Sequence, residues 1–168
     1  MAWNKYIIVS FILVLLTSCS ISYSTSGGSV NYNIIKTIQI SEFPNRTPFY
    51  SPMSSMFNLA LRKRLVEQTS LTEVKANGDL EIDGEITKFD VQGMAVKQDA
   101  YASQTRLTIT VSVEYINNKE AGKDVTQTFS AFQEFSSEKS IDEVQDELVK
   151  KIIDEIVDMI YNATIASW

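Results

Sequence analysis

Histidine is absent from this sequence and cysteine occurs once. Without an imidazole, no Ser-His-Asp or Cys-His relay can operate. One cysteine and no histidine do not make a structural zinc site, and an intramolecular disulfide is impossible. Positive charge is scarce: 15 Lys and Arg face 21 Asp and Glu, for a formal charge of −6. That balance excludes a general nucleic-acid footprint, which needs an excess of cations. Glycine (6) and proline (3) are sparse across 168 residues, and 44% of the chain is hydrophobic. Such a composition argues for a packed core rather than disorder, and the length suits one domain. Long apolar runs are also missing. The longest, residues 6–16, falls short of the about 20 residues a bilayer span requires.

That run has a different use. It follows a short start with one positive charge, Lys5, and its length suits the apolar region of a secretory signal. Directly after it stands Leu16-Thr17-Ser18-Cys19. This segment resembles the lipobox of bacterial lipoproteins: an aliphatic residue, two small residues, then a cysteine that is acylated. The resemblance implies cleavage between Ser18 and Cys19, with lipid carried by Cys19 as the new N-terminus. One acyl chain holds a protein on a membrane only marginally, at about 0.8 kcal/mol per buried methylene. A triacylated cysteine carries three chains and anchors stably. Ser20, rather than Asp, follows the cysteine, which in lipoprotein sorting implies the outer membrane. Loss of residues 1–18 leaves 150 residues with 14 basic and 21 acidic side chains, a side-chain charge of −7. Residues 19–30 are small and polar, a lipid-anchored tether, and residues 31–168 form the folded domain.

Periodicity organises that domain. Tyr32, Ile34, Ile38 and Ile40 share one parity, predicting a first strand over residues 32–40. Phe43-Pro44-Asn45 breaks it. Ser51-Pro52 opens a helix whose Met53, Met56, Phe57, Ala60, Leu61 and Leu65 make one apolar face. Leu80, Ile82 and Ile86 alternate with acidic residues in a second strand, and the parity slips near Thr87-Lys88, predicting a bulge. Residues 92–103 read as a long hairpin loop. Leu107, Ile109, Val111, Val113 and Tyr115 define a third strand; Val125, Phe129, Ala131 and Phe135 define a fourth. Ser140-Ile141-Asp142-Glu143 matches a capping box, and a long helix follows to about residue 166. The expected fold is α+β, a two-layer β-α-β-β-β-α arrangement. Two helices pack on one face of a four-stranded mixed sheet, and the other face stays open and polar.

Four patterns could carry chemistry. Asp79 to Asp90 places acidic residues at positions one, three, five and twelve with Gly84 at six, as in a calcium-binding EF-hand loop. Its strand-like alternation and the absence of flanking helices speak against that use. Glu81, Asp83 and Glu85 share one strand face, as a glycosidase carboxylate pair would, but no cluster of Trp suggests a sugar cleft. Arg62-Lys63-Arg64 ends the first helix, where cations complement the helix dipole. Lys88, Lys97 and Arg106 are the candidate contacts for phosphate-bearing head groups. If the second and third strands pair, these cations share the open face. The competing reading pairs them with Glu81, Asp83 or Glu114.

The lipobox, Phe43-Pro44-Asn45, Asp79-Leu80-Glu81-Ile82-Asp83-Gly84-Glu85-Ile86-Thr87, Arg106-Leu107-Thr108-Ile109-Thr110-Val111 and the closing Tyr161-Asn162-Ala163-Thr164-Ile165-Ala166-Ser167-Trp168 occur in this order. Together they resemble the outer-membrane LPS-assembly lipoprotein family LptE, in its Bacteroidetes-type branch. The resemblance implies a non-enzymatic protein without cofactor or metal. It implies a plug and assembly factor for the LptD β-barrel, which inserts lipopolysaccharide (LPS) into the outer leaflet. It also implies a place on the periplasmic side and in the barrel lumen, and LPS contact through basic residues. A periplasmic lipid-binding carrier, or a general outer-membrane scaffold lipoprotein, is the alternative. At −7, contact with an anionic lipid requires a local basic patch.

Overall fold

The computed structural model describes residues 30–94 and 103–166. Five strands and two helices run in the order β1 (Thr37–Ile40), α1 (Met53–Glu67), β2 (Thr72–Val74), β3 (Leu80–Gly93), β4 (Gln104–Asn117), β5 (Val125–Ser136) and α2 (Ile141–Thr164). They make one mixed sheet in the order β2-β1-β3-β4-β5. β1 is parallel to both β2 and β3, whereas β3, β4 and β5 form an antiparallel meander.

The α+β class, the two helices and the mixed sheet are as the periodicity predicts. The strand count is not: the sheet has five strands rather than four. The additional strand, β2, is three residues at the edge, too short for alternation to register. The first strand is also shorter than expected. Residues 32–34 form a turn on Asn31, whose carbonyl accepts the amides of Ile34 and Ile35 and whose side chain accepts that of Asn33. A local Asx turn competes successfully with the strand there, because Asn side chains bond their own backbone. Tyr32 and Ile34 are accordingly exposed rather than inward.

Alternation decides the layers. Ile38, Ile40, Leu80, Ile82, Ile86, Leu107, Ile109, Val111, Val113, Tyr115, Phe129 and Ala131 are buried on one sheet face. Met53, Phe57, Leu61 and Leu65 of α1 and Val149, Ile152, Ile156 and Ile160 of α2 complete the same core. Each such side chain, fully buried, contributes roughly 1.5–3 kcal/mol. The predicted slip in β3 is present: the register with β4 shifts between Ile86 and Lys88. It restores Phe89 to the inward parity, opposite Ile109.

Both helix starts lie near their predicted positions. Pro52 precedes α1, at the N-cap. Ser140 is the N-cap of α2, but its side chain makes no capping bond; Asp142 and Glu143 in the first turn complement the dipole instead. Neither described helix is long and apolar enough to cross a membrane.

Two polar groups fasten the β1 side. Asn58 is buried in α1, accepts the Phe43 amide at 2.9 Å and donates to the Ser54 carbonyl at 2.8 Å. Asp79 accepts the amides of Lys36 at 2.8 Å and Thr37 at 3.0 Å, with Lys119 Nζ at 3.0 Å. Those donors hold its carboxyl at about 2, below the usual 3.8, the Lys36 amide foremost.

Candidate functional site

Among the described residues, the sheet face away from the helices is the surface left uncovered. Period two places the polar half of each strand there. Thr110 and Ser130 face each other across β4 and β5, their hydroxyls 3.1 Å apart. Ser112 opposes Thr128, and Glu114 opposes Thr126. On the β3 side Asp83 lies directly across from Glu114, a like-charge pair that repels.

The β3–β4 pairing puts Lys88 opposite Thr110 and Arg106 opposite Gln92. Both cations therefore share the open face, four β4 residues or about 14 Å apart along the strand. Lys97 lies outside the described residues, as do Ser18 and Cys19. Each of the two described cations holds a carboxylate, though not those considered from sequence. Lys88 Nζ is 3.1 Å from Asp90, which also accepts Gln92 at 2.7 Å. Arg106 reaches across to β5, donating to Glu134 through Nη2 at 2.6 Å and Nε at 3.2 Å. Its guanidinium lies over the ring of Phe132, 4.0 Å from the centroid. Phe132, on the opposite parity to the buried Phe129 and Ala131, is 47% exposed on this polar face.

The acidic run of β3 is spread along a strand. Glu81 accepts the Asn118 amide, Glu85 accepts Arg46 at 2.8 Å, and Asp79 is the backbone clamp of β1. Among the described residues no three Asp, Glu or Cys side chains converge in a way that could hold a metal ion. The cations of Arg62-Lys63-Arg64 divide their work. Arg62 bridges Glu42 at 2.9 Å and Glu73 at 3.0 Å. Arg64 stacks on Tyr161 at 4.6 Å and places Nε 3.1 Å from Asp158, too far off line to hydrogen-bond.

A second surface feature lies at the far end of the helical layer. A groove of about 520 Å³ runs between the strap before α1, the outer half of β3 and the start of α2. Phe49 stacks on Phe89 there, centroids 5.8 Å apart. Tyr50, held at a positive φ of 47°, donates its hydroxyl to Asp146 at 2.6 Å and so ties strap to helix. Burial, reinforced by Asp146, pushes that phenol up to about 12.

Comparison with known proteins places this geometry. A family model described as LptE, lipopolysaccharide-assembly, matches residues 35–164. No curated protein matches the sequence significantly. Among solved structures, a minor lipoprotein from Acinetobacter baumannii superposes with a TM-score of 0.50 at 12% identity, over 76% of this chain and 90% of that one. The hypothetical protein CT253 from Chlamydia trachomatis gives the same TM-score at 10% identity, over 79% of this chain and 99% of that one. At such identities the likeness is one of fold. The family match spans well over half of the sequence and takes in all five strands and both helices: the chain belongs to the LptE lipopolysaccharide-assembly family.

Proposed function

We propose that this protein is a lipid-anchored outer-membrane lipoprotein that plugs and helps assemble an LptD-type β-barrel, the translocon that inserts LPS into the outer leaflet. The observation that carries the reading is the family match across the whole folded region, residues 35–164. The fold is consistent with a protein that works by fitting a partner. The apolar faces of sheet and helices are spent on each other, leaving a broad polar sheet face for contact. A lipid carrier would instead need an enclosed apolar cavity.

In this reading Cys19 carries the lipid after cleavage behind Ser18, residues 19–30 are the tether, and residues 31–168 the plug on the periplasmic side and in the lumen. Lys88, Lys97 and Arg106 are the contacts for LPS phosphates. Lys88 and Arg106 must then exchange Asp90 and Glu134 for phosphate. Exposed ion pairs are worth only about 0–1 kcal/mol, so the exchange costs little. No turnover is involved; the protein positions and supports.

The test is affinity recovery from detergent-solubilised outer membrane, with identification of what comes with the protein. A large barrel is the expected companion, and barrel levels should fall when the protein is depleted. Consistent recovery free of any barrel would sink the proposal.

A further inference from the structure

The two edges of the sheet are built differently. β2 is three residues long, and Glu73 at its centre is held by Arg62. Shortness and charge are the usual guards against unwanted strand pairing. β5, at the opposite edge, has neither. It runs for 12 residues, about 40 Å, without proline, glycine or lysine. Its register with β4 is unbroken from Val125 to Ser136, so no bulge turns the edge away. Its one charge, Glu134, is neutralised within the sheet by Arg106. Among the described residues, its only backbone bond outside the β4 ladder is a turn bond from Lys139 to Ser136 at its end. Helix α2 packs against β5, where Phe129 and Ala131 are buried, and β4 is the only strand beside β5 in the described sheet.

A long, unbroken edge with no guard is a template for another strand. We infer that β5 pairs along its free edge with an extended segment of the β-barrel partner, adding a sixth strand to the sheet. The side chains specify the occupant's chemistry. On the open face it lies beside Thr126, Thr128, Ser130 and Phe132, so hydroxyl-bearing or aromatic residues fit. On the inner face it meets Phe129 and Ala131, so small apolar residues fit. While Arg106 holds Glu134, no matching charge is required; when Arg106 turns to phosphate, a cation opposite Glu134 fits. The partner's identity rests on the plug reading above; the choice of edge rests on the β2–β5 contrast alone.

Photo-crosslinking in native membranes tests this on the full-length lipoprotein. Benzoyl-phenylalanine replaces Thr126 or Thr128 on β5, Glu73 on β2, or the exposed Lys150 on α2. Expected are barrel adducts from Thr126 and Thr128, mapping to one contiguous segment, and none from Glu73. Barrel adducts solely from Glu73 or Lys150, or adducts from β5 to a second copy of this chain, overturn the inference. Absence of the barrel before irradiation marks failure of the plug reading itself. As a second measure, Thr126→Lys with Thr128→Lys adds the missing guard and should cut barrel recovery about tenfold, while Thr126→Val with Thr128→Val retains it. Circular dichroism confirms the fold of both variants, and undiminished recovery with the lysine pair also overturns the inference.

Discussion

The ring of Phe43 packs onto the bare backbone of Gly84. A Cβ on Gly84 would lie 2.5 Å from Phe43 Cε1 and 2.2 Å from the Ser112 carbonyl oxygen. The glycine thus lets the segment after β1 close over β3, and Phe43 continues onto Phe57 of α1 at 5.1 Å. Gly84→Ala should destabilise by about 1–3 kcal/mol, the usual cost of overpacking a filled core. Urea denaturation followed by circular dichroism measures it. A variant as stable as the parent would contradict the contact.

Asp79 makes stability depend on acid. Its folded value, about 2, lies below the usual 3.8, so its contribution is complete above pH 4 and is lost as pH falls from 4 towards 2. Asp79→Asn keeps an acceptor but loses the charge, and should cost about 1 kcal/mol at pH 7. The difference between the two proteins should shrink as the pH is lowered to 2. Melting temperatures across that range test it; a constant difference would show that ionisation of Asp79 is immaterial.

If Lys88 and Arg106 meet LPS phosphates, Lys88→Gln with Arg106→Gln should weaken binding to LPS micelles several-fold and flatten its salt dependence. Stability should hardly move, because both cations sit in partly exposed ion pairs. Fluorescence titration at two salt concentrations separates these effects. Equal affinity and equal salt slope would move the LPS contact elsewhere.

Cys19→Ala should abolish acylation and leave residues 1–18 attached. Mass spectrometry of the recovered protein and membrane fractionation read both events. A processed variant still in the outer membrane would rule out the lipobox assignment.

Much of this was legible in local pattern. The five inward residues of β4, the bulge beside Lys88 and the apolar stripes of both helices follow from periods of 2 and 3.6. Shared placement of Lys88 and Arg106 on the open face followed once their strands paired. What local pattern missed is instructive. β2 is too short to show a period, and the Asn31 turn removed Tyr32 and Ile34 from the first strand. The Asp79 clamp looked like the first position of a calcium loop, since its carboxylate and its amide donors are about 40 residues apart in sequence.

The sequence by itself determined most of the residues that face the core, most of the turns and, through its ordered motifs, the resemblance to its family, because these are written in short-range pattern. Tertiary structure alone decided that Arg106 spends its charge on Glu134, that Asp79 fastens β1 to β3, and that β5 is the unguarded edge. Each depends on strand order and register between distant segments. Those are set by how the apolar faces pack together, and no single segment encodes them.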